Sequence, residues 1–276
     1  KNDDIVVKAK SNPYENTIEK IDENTKKPDG YVEVKFVAGK NGQLEKDGNK
    51  IEEKTYYVNP YKYVKLIPPA TKGDTGYEFG AWDKLVTGYD IYKAPSTTIT
   101  ANFNEIRAVI PKTKTDESEK QEGYVEVNFE INGEGGKIVD VQPTTYYVDP
   151  TREVTINPPK TQAEIGYVFD KWDPDTISKA KKYKDKTTVK GNFKKLDNLI
   201  PSTNDQGQPN PKPQGYVTVT FKADTNGSLK GETKYYVNPT KEVDLTAKAK
   251  KIEKIANTGY TSDGGSWKDG EKEARI

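Results

Sequence analysis

The sequence contains no cysteine, no histidine and no methionine in 276 residues. The absence of cysteine excludes disulfide bonds and thiol nucleophiles, and the absence of histidine excludes the commonest general base and zinc ligand. Carboxylate, lysine, tyrosine, serine and threonine chemistry remains. No apolar run approaches the roughly 20 residues that a helix needs to cross a bilayer, so we expect no membrane insertion.

A surplus charge of one sign is also missing, since 44 Lys and Arg stand against 43 Asp and Glu. Nucleic acid is therefore not an expected partner, because its binding requires clustered surplus cations. Hydrophobic residues make up only 32% of the chain, which favours several small cores over one large core. The chain begins with Lys1 and not with methionine, so we expect it to be a segment of a longer protein.

What the sequence does contain is internal repetition. Four landmarks recur three times in the same order: Gly-Tyr-Val, then Tyr-Tyr-Val followed by Asn-Pro or Asp-Pro, then Gly-Tyr, then tryptophan. They fall at 30–32, 123–125 and 215–217; at 56–60, 146–150 and 235–239; at 76–77, 166–167 and 259–260; and at Trp82, Trp172 and Trp267. Because a shared structural unit explains this order, we predict three small tandem modules in an elongated array.

The landmarks set the predicted domain boundaries. The two connections are polar, and the second is also Pro-rich; we expect no packed structure in them because they hold little to offset the entropy of ordering. The apolar stretches just before them, 106–111 and 196–201, are predicted to pack against their own sheet or a neighbour. The boundaries are 1–29 for an N-terminal segment that can be the end of a preceding module, 30–111 for module 1, 112–122 for a linker, 123–201 for module 2, 202–214 for a Pro-rich linker, and 215–276 for module 3, divergent or truncated.

Local patterns within each copy predict β structure. Alternation in 31–36 places Val32, Val34 and Phe36 on one face of a strand. Asn-Gly pairs at 41–42, 132–133 and 226–227 favour a tight hairpin after this strand. The proline after Tyr-Tyr-Val is expected to end the next strand. We predict about five short strands per module.

Helix signals are few. The spacing of Ala249, Ile252 and Ile255 predicts a helix over 246–256, and a weaker pattern predicts one over 13–23. The third copy stops soon after Trp267, without the closing strand of the other two. Residues 4–10 are typical of such a closing strand, and they could either end a preceding module or be borrowed by the third copy.

No motif predicts catalysis, a cofactor or a metal site. Asp83 and Asp173 follow a tryptophan but correspond to Lys268 in the third copy, which favours turn residues over paired catalytic acids. An intramolecular isopeptide bond through Lys35 is not expected, because its counterparts are Asn128 and Thr220. The stretch 224–227 lacks calcium-ligand spacing and is interpreted as a turn. The paired tyrosines at 56–57 either place one ring inward and one outward or serve binding.

The later half of each module resembles the internalin B-type repeats of Gram-positive surface proteins. The resemblance lies in Pro68-Pro69, Gly76-Tyr77-x-Phe79, Trp82 and the closing strand at 98–103, and in Pro159, 166–169, Trp172 and 188–193; the third copy has Ser262 in place of Phe. It implies a mainly β (α+β, β-grasp-like) module on an extracellular, cell-wall attached protein. The implied function is non-enzymatic: a stalk or spacer that also contacts adjacent modules, or an adhesin segment that binds a host extracellular protein or glycan.

Overall fold

A computed structural model describes residues 4–262, 267–269 and 272–273. Strands hold 42% of the residues and helix 2%, so the protein is mainly β, as the sequence predicts. The elements are β1 (Thr17–Glu19), β2 (Val32–Ala38), β3 (Gly42–Lys46), β4 (Asn49–Ile51), β5 (Glu53–Val58), β6 (Tyr63–Lys65), β7 (Ala70–Gly73), β8 (Tyr77–Trp82), β9 (Thr87–Tyr89), β10 (Ser96–Glu105), β11 (Val109–Pro111), β12 (Val125–Ile131), β13 (Gly136–Ile138), β14 (Thr145–Val148), β15 (Thr161–Ala163), β16 (Tyr167–Asp173), β17 (Thr187–Lys195), β18 (Leu199–Pro201), β19 (Val217–Thr220), β20 (Gly227–Lys230), β21 (Lys234–Val237), α1 (Thr246–Lys250), β22 (Glu253–Ala256), β23 (Lys268–Asp269) and β24 (Lys272–Glu273).

The chain divides into two compact units. The first comprises Lys1–Glu126, Tyr147–Val154 and Lys182–Asp185, and the second comprises Val127–Tyr146, Thr155–Lys181 and Lys186–Ile276.

The first unit is built around a five-stranded sheet in the order β1-β5-β2-β10-β8. Strand β2 lies in the middle, antiparallel to β5 and parallel to β10. Val32, Val34 and Phe36 of β2 are buried, whereas Glu33 and Lys35 between them are only half-buried. The predicted alternation is therefore confirmed. The strands β4-β3-β7 form a second sheet, and β6 and β9 form a two-stranded ribbon.

Aromatic rings fill the core of the first unit. Trp82 lies edge-on to Phe36 with ring centroids 5.0 Å apart, and the ring of Phe79 lies 5.5 Å from that of Trp82. Val34 and Ile99 pack in the same cluster and are fully buried. Such aromatic pairs contribute about 0.5–1.5 kcal/mol each beyond the area they bury, which matters in a core of this size.

In the second unit, β12 runs parallel to β17, and β17 is antiparallel to β16. A three-stranded sheet has the order β18-β21-β19, and smaller pairs join β13 with β15 and β20 with β22. Phe129 meets Trp172 at 5.1 Å and Phe221 meets Trp267 at 4.7 Å, both edge-on. Each tryptophan of the chain therefore packs against the phenylalanine that follows a Gly-Tyr-Val motif.

The predicted Asn-Gly hairpins are wrong. Asn41 does adopt a left-handed conformation (φ 70°), but the turn sends the chain from β2 into the separate β4-β3-β7 sheet. The same holds for the later two pairs, since β13 joins β15 and β20 joins β22. Gly42 serves packing instead, because a Cβ at this position would collide with the ring of Phe103. Turn chemistry specifies a reversal of direction but not which strand is joined next.

Both helix predictions need correction. The helix predicted over 246–256 begins at Thr246 as expected but ends at Lys250, and residues 253–256 form β22, which pairs with β20. The helix predicted over 13–23 is wrong, because Thr17–Glu19 form β1 and pair with β5. In both places a strand edge was available, and backbone pairing outweighed a weak helical pattern.

Two further expectations differ from the structure. Residues 30–111 hold ten strands, β2 to β11, and not about five, because short segments pair outside the main sheet. No strand is described between residues 4 and 16. The expectation that the third copy lacks its closing strand concerns 263–276, and 263–266, 270–271 and 274–276 lie outside the described residues.

The connections 112–122 and 202–214 are held by side-chain hydrogen bonds. The Glu119 carboxylate accepts N–H donors from Thr113 and Lys114 at 2.7 and 3.1 Å. The Asn204 side-chain oxygen accepts the N–H groups of Gln206 and Gln208 at 3.0 and 2.8 Å. These are local turns in mostly exposed segments, because side-chain caps can satisfy the backbone without an apolar core.

Candidate functional site

A pair of hydrogen bonds occurs three times at the entry to a Gly-Tyr-Val strand. A tyrosine hydroxyl donates to one backbone carbonyl of the preceding segment, and the next carbonyl accepts the N–H that follows Tyr-Tyr-Val. The first bonds are Tyr31 to Glu15, Tyr124 to Arg107 and Tyr216 to Asp197, each 2.8 Å. The second are Asn59 to Asn16 at 2.8 Å, Asp149 to Ala108 at 2.9 Å and Asn238 to Asn198 at 2.9 Å. We call this arrangement the entry clamp.

The most polar entry clamp lies in the first unit, around Asp149. The Asp149 side chain is fully buried, and Arg152 Nε donates to one of its oxygens at 2.7 Å. Its other oxygen accepts the N–H and the hydroxyl of Thr151 at 2.8 and 2.7 Å. Arg152 Nη2 also donates to the Ile106 carbonyl at 2.6 Å and to the Tyr124 hydroxyl at 3.2 Å. The guanidinium thus ties the residues after β10 to those after β14.

The electrostatics of this network favour its charged form. Burial by itself raises the pKa of Asp149, but the hydrogen bonds from Thr151 and the charge and hydrogen bond of Arg152 outweigh it, so the pKa lies below its usual value. Burial raises the pKa of Tyr124 despite the neighbouring Arg152. At neutral pH the cluster therefore holds a carboxylate, a guanidinium and a neutral phenol. These groups are already engaged with one another, which suits a structural joint.

The third copy builds the same joint without charge. Asn238 in the second unit is buried, and its amide Nδ2 donates to the Asn198 side chain at 3.1 Å. Its oxygen accepts the N–H and hydroxyl of Thr240 at 3.0 and 2.7 Å, as Asp149 does from Thr151. Asparagine therefore replaces aspartate where no arginine follows, since Lys241 occupies the position of Arg152.

Two glycines lie against these side chains. A Cβ on Gly76 would collide with the Asp149 carboxylate, and a Cβ on Gly166 would lie 2.7 Å from the Asn238 amide nitrogen. Both glycines have positive φ, 88° and 93°. The Gly-Tyr landmark thus has a packing reason in the first two copies: only glycine allows both the backbone conformation and the close approach.

Open clefts lie beside both glycines. The cleft at Gly76 is about 580 Å3 and that at Gly166 about 710 Å3. The first contains an ion pair between Lys72 and Glu122 at 2.9 Å. No group of three acidic or other metal-ligating side chains occurs in the described part of the chain.

The structure places the acids and lysine singled out by sequence in local roles. The Asp83 carboxylate accepts the Thr100 N–H at 2.7 Å and contacts Lys84, so it links the end of β8 to β10. Asp173 is exposed at the end of β16, in the other unit. Lys35 pairs with Glu53 at 2.7 Å and remains partly exposed. None of these contacts joins two carboxylates, and none joins a lysine to an asparagine.

The paired tyrosines of the first copy differ from expectation. Tyr56 and Tyr57 point to opposite faces of β5, yet both are 6% exposed. Tyr56 packs against Phe36 and donates to the Ile67 carbonyl at 3.0 Å. The prediction that one ring faces outward is therefore wrong, because both faces of this strand are covered. Exposed tyrosines lie elsewhere.

Sequence reasoning missed an exposed aromatic face on the β6–β9 ribbon. Tyr63 and Tyr89 are cross-strand partners with ring centroids 4.9 Å apart, and Tyr61 lies nearby in sequence with 83% of its surface exposed. A signal exists in the sequence, since Val64 and Leu66 form a short apolar alternation after the Tyr-Tyr-Val motif. The intervening residues must then face outward.

Comparisons with protein-family models and with curated proteins found no match to this chain. Among the described residues, no helix has the length and apolar character needed to cross a membrane.

Proposed function

We propose that this chain is a non-enzymatic segment of a bacterial cell-surface protein, in which three β-grasp-like modules form an elongated stalk that projects another domain from the cell wall. The observation that carries the proposal is the entry clamp, which recurs at three places with 2.8–2.9 Å bonds. A spacer needs successive folded parts in a fixed relation, and such a relation requires directional bonds at each connection. The resemblance to internalin B-type repeats supports the extracellular setting.

The capped connections support the same function. A polar segment without fixed turns would behave as a flexible coil and would shorten the mean span. Here Asn204 and Glu119 hold the connections by hydrogen bonds to their backbones. An ordered connection therefore keeps the modules that it joins at a longer mean separation than a flexible coil of the same length would.

Small-angle scattering tests the proposal. A single globule of 276 residues has a radius of gyration of about 19 Å, whereas three modules in a row should exceed about 30 Å. Because the chain has no cysteine, spin labels on Asn49→Cys and Lys230→Cys can report one defined distance. We expect a narrow distribution, and a radius near 19 Å would overturn the proposal.

A second candidate is an adhesin segment that binds a host extracellular protein or glycan. The exposed tyrosine pair on the β6–β9 ribbon favours it, since tyrosine offers contact area and a polar tip at low entropic cost. Binding of the chain to immobilised extracellular proteins and glycans tests this candidate. Loss of binding in Tyr63→Glu, with the radius of gyration unchanged, would support it independently of the spacer role.

A further inference from the structure

One face of the β6–β9 ribbon carries exposed tyrosine, isoleucine and leucine side chains at both ends. We call this face the tyrosine ribbon. Its members share the outward side of the two strands and the residues that extend them: Tyr61, Tyr63, Lys65, Ile67, Leu85, Thr87 and Tyr89. The opposite side is different, because Val64 and Leu66 belong to the core.

The register arranges six of these seven residues in cross-strand pairs, and Tyr61 precedes the first pair. Tyr63 lies opposite Tyr89 and Lys65 opposite Thr87. The bond from the Leu66 N–H to the Val86 carbonyl, 2.8 Å, continues the ribbon, so Ile67 and Leu85 follow at the next step. The latter two are 68% and 70% exposed, and Tyr89 is 74% exposed.

The second copy shows that folding does not require these apolar residues. The bond from Ile156 N–H to the Thr176 carbonyl, also 2.8 Å, matches the bond between Leu66 and Val86. Aligned on that bond, the positions of Tyr61, Tyr63, Lys65, Ile67 and Leu85 hold Thr151, Glu153, Thr155, Asn157 and Asp175. All five of these second-copy residues are polar. The same backbone bond forms beside polar residues in one copy and beside exposed apolar residues in the other, which points to a role in recognition.

The positive charge of Lys65 indicates which class of partner fits the tyrosine ribbon. Lys65 lies at the centre of the tyrosine ribbon, exposed, and no acidic group lies within 4 Å of its Nζ among the described residues. A partner that covers the flanking pairs would remove water from this ammonium group, and burying an unpaired charge is unfavourable. The fitting partner therefore supplies a carboxylate at its centre and apolar groups on both sides.

The residues at the two ends of the tyrosine ribbon favour a protein partner over a glycan and over a second copy of this chain. Sugars stack on aromatic rings, but the Ile67 and Leu85 end offers no hydrogen bond to sugar hydroxyls that it would desolvate. A second copy packed around a two-fold axis would place Lys65 near the Lys65 of its mate, which repels. An acidic, apolar polypeptide meets both constraints.

We propose that the tyrosine ribbon is a docking surface for an extended polypeptide in which an Asp or Glu is flanked by apolar or aromatic residues. This inference rests on the second candidate function, the adhesin, and not on the spacer role. The face is small, so its interface falls at the low end of specific complexes, below about 1,200 Å2 in total, and single-site affinity is expected to be micromolar.

The test uses a phage-displayed library of random 12-residue peptides selected on the whole immobilised chain. We expect enriched peptides to carry Asp or Glu between apolar residues, and the synthetic peptide to bind with a micromolar dissociation constant by calorimetry. The triple variant Tyr63→Glu, Ile67→Asn, Tyr89→Lys, whose first two changes install second-copy residues, should weaken binding more than about 30-fold. Tyr14→Thr removes an equally exposed tyrosine elsewhere and should leave binding unchanged.

A charge reversal gives a second, milder variant. Lys65→Glu alters one exposed side chain, and selection on this variant should enrich Lys or Arg at the centre of the peptide in place of Asp or Glu. The inference is overturned if the wild-type chain enriches no acidic pattern, or if the same pattern is selected on Lys65→Glu. Glycan-array binding that the triple variant abolishes, or dimerisation by light scattering that it abolishes, would also overturn it. The radius of gyration tests the spacer role separately.

Discussion

Arg152 Nε donates a 2.7 Å hydrogen bond to a carboxylate oxygen of Asp149, whose side chain is completely buried. The same guanidinium donates to the carbonyl of Ile106, which lies after β10. One side chain thus joins segments that are 46 residues apart. This geometry makes the Asp149–Arg152 pair the most stringent place to test the entry clamp.

Removing Arg152 should open this clamp. Arg152→Gln leaves a buried carboxylate without its cation, and we expect the first unit to lose about 3 kcal/mol of unfolding free energy. Amide hydrogen exchange at Asp149, whose N–H bonds to Ala108, should accelerate. The matched control is Lys241→Gln at the corresponding position of the third copy, which should change stability by less than about 0.5 kcal/mol. Equal exchange in both variants would contradict the role assigned to Arg152.

The clamp should also weaken in acid. The pKa of Asp149 is lowered in the folded protein, so its stabilisation is complete above the ordinary carboxyl pKa of about 3.9 and is lost as the pH falls through the lower folded value. We expect the difference in unfolding free energy between wild type and Asp149→Asn to be constant from about pH 7 to 5 and to shrink below about pH 4. Denaturant titrations at these pH values measure it. A difference that persists unchanged at pH 2 would refute the assignment.

Gly76 should resist substitution more than a glycine with the same backbone and free space. Gly76→Ala combines a positive φ of 88° with a collision at Asp149, whereas Gly48→Ala has φ 78° and no atom within 4 Å of the new Cβ. The control Gly48→Ala should lose about 1 kcal/mol of unfolding free energy, because alanine is unfavourable in this backbone conformation. Gly76→Ala should lose about 2 kcal/mol more. Thermal unfolding measures both, and equal losses would show that the approach to Asp149 is unimportant.

Trp82 should support the first unit specifically. Trp82→Ala removes the ring that contacts both Phe36 and Phe79, and we expect a loss of about 3–5 kcal/mol of unfolding free energy, enough to unfold a small core. The fluorescence of Trp172 and Trp267 should still report their own cooperative transition. Tyr61→Ala, at an exposed position, serves as the control. An unchanged transition of the first unit in Trp82→Ala would contradict this prediction.

The connection at 202–214 should be resistant to proteases because Asn204 caps its turn. Asn204→Ala removes the acceptor for the N–H groups of Gln206 and Gln208 and should cost about 1 kcal/mol locally. Limited proteolysis should then cleave this connection several-fold faster. Asp205→Ala, an exposed neighbour, provides the comparison. Identical cleavage of both variants would mean that the cap does not hold the segment.

The local sequence patterns correctly predicted those features that depend only on residues close together in the chain. The alternation of Val32, Val34 and Phe36 gave the buried face of β2 correctly, because a pleated strand places alternate residues on one side whatever it pairs with. Asn59-Pro60 ended β5 as expected, since proline cannot donate to the ladder. The start of α1 at Thr246 was also correct.

The errors share one cause. The Asn41-Gly42 turn was expected to form a hairpin, but β3 joins β7, a strand 25 or more residues further along the chain, and residues 253–256 left the predicted helix to pair with β20. The choice of partner depends on which strand edges lie nearby in the folded chain. The entry clamp was missed for the same reason, because its carbonyl acceptors carry no side-chain signature.

The order of the landmarks, the mainly β class and the buried face of β2 were determined by the sequence by itself, because they depend on residue type and spacing. Only the tertiary structure decided that Asp149 is buried beside Gly76 and that Tyr63 and Tyr89 form an exposed pair. Whether a side chain is buried depends on which parts of the chain pack against it. The free energy of that packing comes from contacts with residues that are distant in sequence. A tyrosine in a strand can be a core residue or a surface residue. The segments that pack against it decide which, because the residue type is the same in both cases.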